Sequence, residues 1–393
     1  MSQQQPLKIL TLDGGGLQAL ATLSSLNAVC RAIANQNGAD RPPAPHELFD
    51  IIAGVGTGGW IALLLGRYCL DITTCTAFYM EIATKTDINM SQSSSRRNRP
   101  FKLDQDRLMT VVEETLQRYG LDPSLMARKG GTSGLGRRPK GSRCKYAFAA
   151  GVVPRGEKQA PTYALFRSYD VEGNPKDRLM GSPNPESCQV PEVFCATGAA
   201  KFFLKPYKIG DTVFFDEIFP QSHPISSLAL DEALRIYGTD VEISVLLNIG
   251  PGIPVDKDCE ELDLMSLGPI SRLTRKFSWP LGRRLSLKQK LPFAEKSLEA
   301  AQEDLKLTTS PSETALRLES QRREDIRARL GRMYGTPGAD KYHHLGPAYS
   351  VERASLNDVH AIRRPQSGSG GLKEQRKIEA ENVVRQVWVG AAA

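Results

Sequence analysis

The chain has 393 residues, 40% apolar and 24% charged, enough for one large domain with appendages or two modest ones around a substantial core. No run reaches the roughly 20 unbroken apolar residues of a spanning helix, and Met1 to Pro6 lack the basic-then-apolar profile of a secretory leader, so a cytoplasmic protein is expected. Seven cysteines without C-x-x-C spacing and five histidines without ligand spacing suggest neither a disulfide framework nor a metal site. The net charge of +7 comes with no zinc-finger, helix-turn-helix or RNP pattern, so no nucleic-acid partner and no cofactor is expected.

Lys8 to Leu12 reads as a short buried strand that ends at Asp13-Gly14-Gly15-Gly16, after which Leu17 to Ala34 reads as an apolar helix. The pattern repeats: Leu48 to Ala53 as a strand, then Gly54-Val55-Gly56-Thr57-Gly58-Gly59, then a helix from Trp60 to Tyr68. Asp71 and Asp104 sit where N-caps belong, before helices running to about Lys85 and to Arg118. Glycine and basic residues over 127–143 read as an insertion with little to bury. Strands are expected at Lys145 to Val153, Thr162 to Ser168, Val213 to Asp216 and Val241 to Ile249, with helices at Pro191 to Ala200 and Ser226 to Tyr237. This alternation implies an α/β domain over 1–253 with a mainly parallel central sheet covered on both faces. Beyond it, 254–393 reads as a basic connector and a helical C-terminal extension, with helical pattern at Ser312 to Met333 and Lys373 to Trp388.

Each glycine cluster has a chemical reading. A glycine triplet between a strand and a helix exposes backbone N–H groups at a helix N-terminus, where they favour an anion or a developing oxyanion; it also suits a structural turn or a phosphate loop. The second cluster has the layout of a nucleophile elbow, in which small flanking residues let a sharp turn lift the central side chain above the sheet. The centre here is Gly56, which has no side chain to attack with.

Four blocks in order carry a resemblance: Asp13 to Ala19, Gly54 to Gly58, Cys195-Ala196-Thr197-Gly198-Ala199-Ala200-Lys201, and Phe214-Phe215-Asp216-Glu217-Ile218. They resemble the patatin-like acyl hydrolases, whose domains carry D-G-G-G-x-R-G, G-x-S-x-G, A-T-S-A-A-P and a strand ending in D-G-G or D-G-A. The resemblance covers roughly residues 7 to 253 and implies a three-layer patatin-like fold. It further implies a serine–aspartate dyad, with Asp216 at the position of the base, Gly14, Gly15 and Gly16 as the oxyanion hole, and Gly56 at the nucleophile's position. The chain departs from the pattern at Gln18, Ala19, Glu217 and Ile218 as well. Departures spread over several positions favour a naturally altered site over one designed replacement.

Gln18, Thr57, Glu217 and His223 are candidate site-lining residues. Thr57 is read as the N-cap of the Trp60 helix rather than as a substitute nucleophile, and Cys195 as a buried, inert thiol. Three functions are open. The first is a protein that has lost hydrolysis and keeps a cavity for a hydrophobic or acyl-bearing small molecule, for binding or regulation. The second is an enzyme using Asp216 and the glycine amides for non-covalent acid–base chemistry such as isomerisation, cyclisation or elimination. The third is a residual hydrolase in which Asp216 activates water. Mixed basic and bulky apolar residues over Arg272–Lys290 suggest peripheral contact with an anionic membrane, or equally a partly buried connector.

Overall fold

The computed structural model describes residues 5–16, 19–87, 104–124, 126, 139–154, 162–170, 182–199, 204–216, 225–250, 311–346, 378 and 380–385. In chain order the elements begin with β1 (Leu7–Leu12), α1 (Ala19–Asn37), α2 (Pro45–Leu48), β2 (Ile51–Val55), α3 (Thr57–Ala62), α4 (Ile72–Asp87) and α5 (Gln105–Arg118). They continue with β3 (Tyr146–Val153), β4 (Thr162–Arg167), α6 (Val190–Thr197), β5 (Tyr207–Ile209), β6 (Thr212–Phe214), α7 (Ile225–Tyr237), β7 (Ile243–Ile249), α8 (Pro311–Tyr334) and β8 (Tyr342–Leu345).

Among the described residues the main sheet has six strands in the order β4-β3-β2-β1-β7-β8, all parallel except β4, which runs antiparallel to β3. β1 lies near the middle and is almost continuously apolar, because a parallel strand covered by helices must bury both faces. Its side chains alternate between two cores. Leu10, Leu12, Ile52, Ala149 and Leu247 pack with α1, α3, α4, α5 and α6, together with Ala380, Val383 and Val384 from near the C-terminus. Ile9, Ile51, Ala53, Phe148 and Leu246 pack with α7 and α8. The result is a three-layer α/β fold.

Several expected elements lie elsewhere. Val213 to Asp216 does not join the main sheet: β5 and β6 pair with each other as a hairpin, which meets β3 through the backbone bridge between Phe215 and Val152. Leu48 ends a short helix and not a strand, because Pro45 and Glu47 start a helical turn there; the Glu47 carboxylate accepts the Ala44 N–H at 2.8 Å. The helix after the elbow starts at Thr57 and widens to a π-helical turn at Leu63–Arg67. There Gly66 lies so close to β2 and β3 that a Cβ would meet those of Ala147 at 2.6 Å and Ile52 at 3.2 Å. The helical part beyond residue 253 is present as α8, and the same region adds a strand, β8, to the sheet edge. The 127–143 insertion is described only from residue 139, and Arg272–Lys290 lies outside the described residues.

The expected aspartate caps are in place. Asp71 Oδ1 accepts the Thr74 N–H at 2.9 Å, and Asp104 accepts from the Asp106 and Arg107 amides at 3.2 and 3.3 Å. Asp104→Ala is expected to lower stability by about 1 kcal/mol, read as a fall in the urea midpoint at unchanged slope.

Candidate functional site

Two strand–turn–helix units meet at the carboxyl ends of β1 and β2. β1 ends in a bond from the Asp13 N–H to the Ile249 carbonyl at 3.1 Å, and Gly14 to Gly16 follow, with Gly16 at φ +56°. β2 passes directly into Gly56, at φ 57° and ψ −133°, which is the N-cap of α3. That backbone region is sparsely populated by residues with a side chain and reproduces the sharp turn of an elbow. The flanking glycines are dictated by sterics. A Cβ on Gly54 would overlap the Gly58 carbonyl, and one on Gly58 would overlap the Leu12 and Asp13 carbonyls. A Cβ on Gly14 would lie 3.1 Å from the Val55 carbonyl oxygen and 3.4 Å from the Gly56 Cα, so the two turns are in contact.

Asp216 arrives from the β5–β6 hairpin. The Phe215 N–H donates to the Val152 carbonyl at 2.9 Å and the Asp216 N–H to the Ala199 carbonyl at 3.1 Å, which fixes the chain leading into the carboxylate. Its side chain faces the elbow: a Cβ built on Gly56 would lie 2.8 Å from Asp216 Oδ1, 3.0 Å from Oδ2 and 3.3 Å from Cγ. The resemblance to patatin-like domains implies that Gly14, Gly56 and Asp216 share one site, and the structure brings the three together.

Thr57 differs from expectation. It makes no cap for its own helix; instead its hydroxyl oxygen accepts the N–H groups of Gly15 at 3.1 Å and Gly16 at 3.0 Å. The first residue of a helix on so tight a turn points its side chain across to the neighbouring turn rather than back along its own axis. Tyr79, in the middle of α4, escapes sequence reasoning because an aromatic residue at helical spacing reads as core. Its hydroxyl donates to the Gly16 carbonyl at 2.6 Å and is also hydrogen-bonded to Thr57. Burial pushes the Tyr79 phenol well above its usual range; the Thr57 bond opposes this and the nearby Asp216 charge adds to it. Trp60 braces the assembly, with its Nε1 donating to the Phe194 carbonyl at 3.0 Å and its ring stacked 5.2 Å from that of Phe194. Cys195 is buried on α6, and burial pushes its thiol up to about 12, so it carries no thiolate to attack with. Gln18, Glu217 and His223 lie outside the described residues.

The profile of the patatin-like phospholipases matches residues 10–216, just over half of the chain, and spans both glycine turns and Asp216. The chain belongs to the patatin-like phospholipase family. Among curated relatives, phospholipase A I of Arabidopsis thaliana is 38% identical over 79 residues, 20% of this chain and 5% of that protein. Calcium-independent phospholipase A2-gamma of Mus musculus is 24% identical over 258 residues, and that of Homo sapiens 22% over 253; each match covers 63% of this chain and 28% of the relative. The chain therefore matches less than a third of the length of these relatives. The patatin-like assignment accounts for the parallel sheet, the glycine turn after β1 and the elbow after β2. Among the described residues no helix is long and apolar enough to cross a membrane.

Proposed function

We propose that this patatin-fold protein does not hydrolyse acyl esters through an elbow nucleophile and instead holds a hydrophobic or acyl-bearing small molecule, for binding or regulation. The observation carrying this reading is the approach of Asp216 to Gly56. The carboxylate lies 2.8 Å from where a nucleophile's Cβ would begin, so it takes up space that a serine would need. The glycine amides agree: those of Gly15 and Gly16 hold the Thr57 hydroxyl, and an incoming oxyanion would have to displace it. The family relationship supports a lipid-like ligand, and phospholipase A2-gamma is what its relatives are named. The reading includes a cytoplasmic site of action and contact between Arg272–Lys290 and an anionic lipid surface.

The test compares wild type with Gly56→Ser for labelling by a fluorophosphonate and for hydrolysis of a short-chain p-nitrophenyl ester. Wild type is expected to do neither. The serine variant is expected to label once Asp216 has rotated by a few tenths of an ångström to admit the new Cβ, which shows a site disarmed at one position. Ester turnover by wild type that survives Gly56→Ala and disappears in Asp216→Asn would sink the proposal in favour of water activated by Asp216.

One observation favours a second reading, non-covalent acid–base chemistry. Asp216 faces Gly56, and the buried Tyr79 hydroxyl is bonded to Gly16 and to Thr57 beside it, which sets two proton-carrying groups around one turn. Loss of turnover in both Asp216→Asn and Tyr79→Phe, on a substrate that wild type converts, would establish it.

A further inference from the structure

A polar row crosses three strands of the sheet near their carboxyl ends. Thr11 of β1 pairs in register with Asn248 of β7, and Asn248 pairs with His344 of β8, so three polar side chains stand side by side across three adjacent strands. They lie on the α7 side of the sheet, two residues before Asp13 and the glycine turn. Thr11 is fully buried and Asn248 is 3% exposed, so their hydrogen bonds have to be made within the protein.

The donors and acceptors run in one direction. His344 Nδ1 lies 2.5 Å from Asn248 Oδ1, and because an amide oxygen only accepts, the imidazole donates. Nδ1 carries a proton in this tautomer and in the imidazolium alike, so the bond does not depend on the charge of His344. With its oxygen fixed toward His344, the Asn248 amide must turn its NH2 group the other way. There it donates to Thr11 Oγ1 at 3.1 Å and to Asp13 Oδ1 at 3.4 Å. Thr11, having accepted from Asn248, has its own proton available for Ser226 Oγ at 2.9 Å on α7. A flipped amide would set its oxygen against the Asp13 carboxylate, a repulsive contact in place of a bond.

We propose that His344 is a positioning residue for the glycine turn: through Asn248 it fixes the Asp13 carboxylate, and through Asp13 the start of Gly14-Gly15-Gly16. The family match ends at residue 216, so the strand that carries this donor lies outside the matched region. The inference takes from the proposed function only the importance of the glycine turn, and its test is independent of any ligand.

The test is amide hydrogen exchange on the full chain at the Gly15 and Gly16 N–H groups, in wild type, His344→Leu and His344→Asn. Asn Nδ2 sits where His Nδ1 does and keeps the donor, whereas leucine fills the space without one. Exchange of both glycine amides is expected to speed up by about tenfold in His344→Leu and to return near the wild-type rate in His344→Asn. If His344→Leu does not fold, Asn248→Ser, which shortens the relay from inside the sheet, is expected to give the same acceleration. Wild-type exchange in the folded variant that lacks the donor, or equal acceleration in His344→Asn and His344→Leu, would overturn the proposal and leave His344 a packing residue. Failure of Gly56→Ser to react with fluorophosphonate would bear on the proposed function alone.

Discussion

Glu232→Gln is expected to cost about 3–5 kcal/mol of stability, as befits loss of one partner from a buried ion pair. Glu232, on α7, is 3% exposed and Arg167, on β4, is 2% exposed. The two make a bidentate pair, with Arg167 Nε at 2.7 Å from Oε1 and Nη2 at 3.0 Å from Oε2. Tyr169 donates to Oε1 at 2.5 Å, and Arg235 adds bonds at 2.5 and 2.9 Å. Burial alone would raise the Glu232 carboxyl. The Arg167 and Arg235 hydrogen bonds, the Arg167 charge and the Tyr169 hydroxyl outweigh it and hold the group at about 2. Glutamine keeps the shape but leaves the buried guanidinium of Arg167 without its counter-charge.

The same group sets an acid limb. A carboxylate whose folded pKa lies below its unfolded value stabilises the fold above the unfolded value, and this contribution fades as pH falls through the folded one. For Glu232 the window runs from about 4.5 down to about 2 and is worth about 3 kcal/mol. Urea midpoints measured from pH 6 to pH 2 should fall in this window for wild type, and Glu232→Gln should lack that component. Parallel pH profiles for the two proteins would refute the assignment.

Gly58→Ala is the second large effect, at more than about 3 kcal/mol, because its Cβ has only backbone to run into. The Leu12 and Asp13 carbonyls cannot rotate aside as a side chain can, so α3 would have to lift from the end of β1. Gly331→Ala is the control. Gly331 is in α8 with nothing within 4 Å of a new Cβ, and there alanine is expected to stabilise by about 0.5–1 kcal/mol. Opposite signs for the same chemical change, read from thermal midpoints, would confirm close backbone approach at the elbow; a neutral Gly58→Ala would disprove it.

Local pattern carried most of the fold and the frame of the site. β1, β2 and β7 are legible as apolar runs closed by glycine because parallel strands bury both faces, and the elbow is legible because its glycines are sterically required. What local pattern hides is side-chain direction and distant pairing. Thr57 looks like a cap, since nothing in its neighbours tells which turn its hydroxyl will face. Tyr79 looks like core, and it is core except for one oxygen. Tyr342-His343-His344-Leu345 has two histidines in four residues and no apolar run, so β8 announces itself only by the edge it covers. The hairpin that delivers Asp216 is likewise set by its bridge to Val152, a long-range contact.

The pairing of β8 with β7 also bears on how the chain is made. About 90 residues separate Ile249 from Tyr342, and at roughly 5–20 residues per second a ribosome needs about 5–20 seconds to supply them. Throughout that interval the outer rim of β7, a row of unsatisfied N–H and C=O groups on an apolar strand, is open to any passing strand. Covering that rim before β8 emerges would therefore protect the yield of native protein.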